Sequence, residues 1–234
     1  MYFVHLGAGA GDQDQRADFR CGFTEFIKKN YNKNSKAFVL EANPLNIEKL
    51  KFCYKNFENI QIFNLAISTN KSDKLTFFYA QEDAPHYQVC SSDINHVRRY
   101  YPESKIETFS VKSITINDFF ENQSIYEIDY LSIDIEGFDY EVLMSIDFNR
   151  FNIKNISIEY LHLTKIQKKK LINYLIKLGY SYSGFGFDHN NYDYLFRKKK
   201  ILWNIFLSKI LYLISTKHYK IFNYFLINNI NKNE

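Results

Sequence analysis

Three glycines alternate in Gly7-Ala-Gly-Ala-Gly11, directly behind the apolar run Tyr2-Phe-Val-His-Leu6. Such a run reads as a buried parallel strand whose carboxyl end turns sharply, and the glycines let backbone approach a ligand with no Cβ in the way. The chemistry this suits is nucleotide or nucleoside binding, and spacing and charge narrow it. A dinucleotide fingerprint G-x-G-x-x-G starting at Gly7 needs glycine at position 12, where Asp12 stands. Asp12 and Asp14 would repel a pyrophosphate and tolerate a cation. S-adenosylmethionine carries a sulfonium and an ammonium beside one carboxylate, so the local charge favours it over NAD.

Acids recur where further strand-like runs stop. Lys36-Ala-Phe-Val-Leu-Glu41 ends in a carboxylate, followed by Asn43 as N-cap and Pro44 at the first helical position. A carboxylate offers two acceptor oxygens to the two hydroxyls of a ribose, and ligands of α/β sheets collect at strand carboxyl ends. The competing role of Glu41 is an acid facing the next helix dipole. Ile128-Asp-Tyr-Leu-Ser-Ile-Asp-Ile-Glu-Gly137 places Asp134 and Glu136 on the edge of the same crevice, and Asn155 to Tyr160 ends in Glu159 with His162 just after. Asp134, then Glu136, then His162 are the candidate bases. Helix capping for the acids and a surface imidazole for His162 are the competing roles.

These residues need a sheet to hold them. The 234 residues suffice for one α/β domain with a full core and one appendage. Ile60 to Ile67 reads as a third strand and Lys74 to Tyr79 as a strand of a hairpin. Positions 80 to 106, with His86 and His96, read as an irregular substrate-side loop whose histidines lie at the surface. A helix is expected from about Thr24 and another over Asp139 to Ser145. A third, capped by Thr164-x-x-Gln167, has Leu171, Tyr174, Leu175 and Leu178 as its apolar stripe and Gly179 as its stop. Strands over Tyr180 to Ser183 and Tyr192 to Phe196 complete the sheet.

The glycine turn, Glu41, Asn64-x-Ala-Ile-Ser68 and Ile133-Asp-Ile-Glu-Gly137 occur in this order, with Glu141-Val-Leu143 and Ser157-Ile-Glu-Tyr-Leu-His162 behind them. In these segments the chain resembles FkbM-type S-adenosylmethionine-dependent methyltransferases over roughly residues 3 to 197. The resemblance implies a Rossmann-like class I fold, mostly parallel and doubly wound, and O-methylation of a sugar, glycan or other hydroxylated small molecule. Carried over by position, His5, Gly7, Ala8, Gly9 and Gly11 would border the methionine part of S-adenosylmethionine. Glu41 would hold the ribose, and Asn64 to Ala66 would border the adenine, with Asp134 beside the cofactor. Methyl transfer of this kind chemically requires no metal, and no metal ligands are expected.

His5 stands where the family often has an acid, and the chain has only Met1 and Tyr2 ahead of the first strand. These two departures motivate an alternative, a non-catalytic module that binds S-adenosylmethionine or a nucleoside in a glycan-assembly complex. The net charge of +4 makes no strong case for nucleic acid. Cys21, Cys53 and Cys90 have no metal or disulfide spacing, and with no signal peptide or 18-residue apolar run expected, a cytoplasmic location fits. The domain is expected over 1–199 and an apolar helical tail over 200–234. Around Ile201 to Ile214, with Trp203 and the basic run from Arg197, that tail would pack on protein, join a homodimer, or lie on the inner face of a membrane.

Overall fold

The structure is a computed structural model and describes residues 1–13, 21–84, 86–87, 89–187 and 191–198. Asp14 and the tail expected over 200–234 lie outside the described residues. Among these residues no helix is long and apolar enough to cross a membrane.

Among the described residues, ten strands and six α-helices follow one another. They are β1 (Tyr2–Leu6), α1 (Gly22–Asn30), β2 (Lys36–Glu41), α2 (Pro44–Cys53), β3 (Ile60–Asn64), β4 (Ala66–Ser68), β5 (Lys74–Ala80), α3 (Ile94–Tyr100) and β6 (Ile106–Thr115). Then come α4 (Ile116–Asn122), β7 (Glu127–Ile133), α5 (Asp139–Ser145), β8 (Asn152–Glu159), α6 (Lys165–Lys177), β9 (Tyr180–Phe185) and β10 (Asp193–Lys198). Seven strands form one sheet in the order β3-β2-β1-β7-β8-β10-β9, in which β3 through β8 pair in parallel and β10 is antiparallel to both neighbours.

Alternation along the central strands covers both faces of the sheet. Val4, Leu6, Phe38 and Leu40 share a core with Phe119 of α4, Leu143 of α5 and Leu171 of α6. Phe3, Ala37 and Val39 share the other with Phe23 and Ile27 of α1 and Leu50 of α2. The sheet is doubly wound, as expected. The caps are also where the sequence put them. Asn43 Oδ1 accepts Leu45 N ahead of Pro44, and Thr164 and Gln167 form a reciprocal capping box.

Four expectations are corrected. The run Ile60 to Ile67 is two strands in two sheets, because Asn64 Nδ2 donates to Glu41 O at 3.0 Å and Ala42 O at 2.8 Å, tying β3's end to β2 before the chain turns at Leu65. Residues 74–80 make no local hairpin. β5 pairs with the distant β6, from Lys74↔Lys112 to Ala80↔Ile106, in a three-stranded sheet β4-β6-β5. The segment 80–106 is not irregular throughout, since Asp93 caps α3 by accepting Asn95 N, and that helix buries His96 and Val97. On α6 the buried stripe is Leu171, Ile172, Leu175 and Ile176, with Tyr174 and Leu178 at its margin.

Candidate active site

β2, β1 and β7 lie side by side in parallel, so the turns at their carboxyl ends meet along one edge. The turn after β1 holds Gly7, Gly9 and Gly11 at φ of 77°, 54° and 63°. A Cβ on Gly7 would stand 1.6 Å from Asp134 O, and one on Gly11 2.9 Å from Cys53 Sγ. A Cβ on Gly9 would meet nothing within 4 Å. Gly7 and Gly11 therefore serve close packing, and Gly9 leaves open space beside the backbone.

Four amides of this turn are engaged within the chain. Gly7 N and Ala8 N both donate to Leu40 O, Gly11 N donates to Ala8 O, and Gly9 N donates to Glu41 Oε2 at 2.7 Å. The other carboxylate oxygen, Glu41 Oε1, accepts Asn43 N at 2.7 Å. Glu41 thus joins the glycine turn to the start of α2, and burial raises its pKa against the hydrogen bonds from Asn43, Gly9 and Asn46.

One cavity of ≈ 510 Å³ is lined by Gly7, Ala8, Gly9, Gly11, Glu41 and Ala66, and equally by Asp134, Glu136 and His162. Two expected cofactor residues do not line it. His5 is 1 % exposed, edge-on to the Phe23 ring with Nε2 3.6 Å from Cys21 Sγ, and burial pushes its pKa down to about 3. Asn64 spends its side-chain amide on the end of β2. Asp12 is corrected too. It does not line the cavity, and Lys28 Nζ, Gln13 Nε2 and Cys53 Sγ all donate to its carboxylate. Its charge is spent on Lys28, so it does not screen ligands.

Glu136 occupies an unusual backbone position for a side-chain residue, φ 51°. The position is pinned from both sides. Asp139 Oδ1 accepts Ile135 N at 2.8 Å, Asp139 Oδ2 accepts Gly137 N at 3.1 Å, and Ser91 Oγ donates to Glu136 O at 2.9 Å. Burial pushes the Asp139 carboxyl up to about 6. So held, Glu136 Oε2 lies 3.2 Å from His96 Nε2 and 3.4 Å from His162 Nε2. Burial raises the Glu136 pKa, and the hydrogen bonds and charges of His162 and His96 outweigh it, so the carboxyl stays below its ordinary value. His162 Nε2 is also 3.4 Å from Glu159 Oε1, and its Nδ1 is 3.4 Å from the Tyr100 hydroxyl.

His96, expected at the surface, is 5 % exposed and edge-on to His162, with ring centroids 4.6 Å apart. Sequence reasoning missed it because its partners lie 40 or more residues away. Asp139 was missed as well, although an acid two residues beyond Gly137 at a helix start is a local signal. Cys90 lines the cavity, but burial raises its thiol pKa far above the ordinary value, which argues against a nucleophile.

A family model described as the methyltransferase FkbM domain matches residues 6–182. Among solved structures, the Methanococcus jannaschii fibrillarin pre-rRNA processing protein is similar at 13% identity and a TM-score of 0.44, over 85% of this chain and 67% of that one. A chain of a fibrillarin/Nop5p complex is similar at 10% identity and a TM-score of 0.41, over 86% and 72%. No curated protein matches the chain.

Proposed function

We propose that this chain, which belongs to the FkbM family of methyltransferases, moves the methyl group of S-adenosylmethionine to a hydroxyl oxygen of a sugar, glycan or other polyhydroxylated small molecule. Membership gives S-adenosylmethionine-dependent methyl transfer on a Rossmann-like class I fold. The oxygen acceptor is our reading.

The observation that carries the choice of S-adenosylmethionine over a dinucleotide is the engaged glycine turn, and the acceptor is read from the side chains lining the rest of the cavity. A dinucleotide's pyrophosphate is normally cradled by free backbone N–H groups. Here the amides of Gly7, Ala8, Gly9 and Gly11 are all donated within the chain, and a carboxylate stands at Gly9. That environment suits a cationic ligand and disfavours a phosphate. The space beside Gly9 would take the methionine part, Glu41 the ribose, and the wall at Ala66 and Ile67 the adenine.

When bound, S-adenosylmethionine supplies a methyl group already activated for in-line displacement by its sulfonium. The chain's residues align the acceptor and take its proton. Asp134, which lines the cavity at the end of β7, accepts that proton on its carboxylate. Tyr100, Phe138 and Tyr192 line the same cavity, and aromatic side chains of this kind suit a sugar.

The test is incubation of the full chain with methyl-labelled S-adenosylmethionine and a panel of free and lipid-linked sugars. A labelled product that survives alkali and whose methyl NMR places on oxygen is a methyl ether and supports the reading. Label found only in alkali-labile esters or on nitrogen would sink it.

A further inference from the structure

We propose that His96, Glu136 and His162 form a binding site for one divalent first-row transition-metal ion, placed in the wall of the cavity where the acceptor is handled. Three chain segments supply the donors: α3, the β7–α5 turn and the β8–α6 turn. One donor atom from each lies within 4.8 Å of the other two.

The spacing of the donor atoms fits a coordination shell. A histidinium donating to a carboxylate closes to about 2.7–2.9 Å. Here two Nε2 atoms converge on one oxygen, Glu136 Oε2, at 3.2 and 3.4 Å. Metal bonds of about 2.1 Å opened at octahedral to tetrahedral angles put neighbouring donors roughly 3.0–3.4 Å apart. The second sphere has the matching form, since Tyr100 OH lies 3.4 Å from the remaining nitrogen of His162, Nδ1. Glu136 itself is fixed in a strained backbone position by Asp139 and Ser91, which aims its carboxylate between the rings.

Donor type selects the ion. Two imidazoles and a carboxylate suit zinc, cobalt, manganese or iron, while magnesium and calcium prefer an all-oxygen shell. Three protein donors leave coordination positions open. Glu136 and His162 line the cavity, so those positions are available to a hydroxyl oxygen, whose proton the ion would loosen. The ion site does not require the methyl-transfer reading to be correct, and the measurement separates the two.

The full chain, stripped with chelator, is titrated with Zn2+ by calorimetry and with Co2+ by visible absorption, and S-adenosylhomocysteine affinity is measured on the same samples. One ion per chain is expected, with a four- or five-coordinate Co2+ spectrum. His96→Ala, Glu136→Gln and His162→Ala should each weaken Zn2+ binding about 10-fold or more and leave S-adenosylhomocysteine affinity within about twofold. No stoichiometric ion in the wild type, or Zn2+ affinity unchanged in all three variants, overturns the site. The wild-type titration decides the matter even if a variant does not fold. Zn2+ bound without S-adenosylhomocysteine upholds the ion site and sinks the functional reading instead.

Discussion

Glu41 Oε2 accepts the backbone amide of Gly9 at 2.7 Å, across 32 residues of sequence. The carboxylate sets the conformation of the glycine turn that lines the cavity, while its other oxygen starts α2 through Asn43 N. Glu41→Ala strands both amides and should lower stability by about 1–3 kcal/mol, with a loss of S-adenosylhomocysteine affinity of the same order. Glu41→Gln keeps one acceptor and should recover part of each. Chemical unfolding and calorimetry measure the two effects, and loss of affinity with no loss of stability would make Glu41 a ligand contact only.

Gly7 and Gly9 should fail differently. Gly7→Ala drives Cβ into Asp134 O at the join of β1 and β7, so little folded protein is expected. Gly9→Ala meets no atom and is opposed only by its left-handed backbone, about 1–2 kcal/mol. It should fold and lose at least tenfold in S-adenosylhomocysteine affinity, because the methyl occupies ligand space. Comparing circular dichroism melts with binding isotherms separates these outcomes, and equal behaviour of the two variants would contradict the division of roles.

What could be read from sequence was what neighbours in the chain decide. The doubly buried β1 and β2, the Asn43–Pro44 start of α2 and the Thr164–Gln167 capping box each sit inside one short window. The losses were long-range or short-lived signals. β6 is a mostly half-exposed strand whose partner β5 precedes it by some thirty residues, and seven-residue α3 spans barely two turns, too little to show a period. The break at Leu65 depends on Asn64 reaching β2, and the His96–Glu136–His162 cluster is assembled only by tertiary structure. Asp12 misled because its partners Lys28 and Cys53 lie well along the chain.

His5 gives the fold an acid-sensitive point. Burial moves its pKa from 6.5 down to about 3, so between these values the unfolded chain binds one more proton than the folded one. Stability is then intact above pH 6.5 and falls by about 1.4 kcal/mol per pH unit as pH drops below it. His5→Leu removes that proton. Urea unfolding at pH 5, 6 and 7 should show the wild-type stability declining relative to the variant at each acid step. A constant difference across the three pH values would rule His5 out as the cause.

Asp134 is assigned the acceptor proton. Asp134→Asn preserves shape and cannot take a proton, so kcat should drop at least 100-fold while S-adenosylhomocysteine affinity changes less than threefold. Matched losses in turnover and affinity would reassign Asp134 to cofactor binding.

In the proposed function the cavity beside Gly9 and Glu41 takes S-adenosylmethionine. Isothermal titration of the full chain with S-adenosylhomocysteine and, separately, with NAD tests it most directly. One S-adenosylhomocysteine per chain is expected, with binding abolished or greatly weakened in Gly9→Ala, and no detectable heat with NAD. Saturable NAD binding with none for S-adenosylhomocysteine, or S-adenosylhomocysteine affinity unaltered in folded Gly9→Ala, would contradict it.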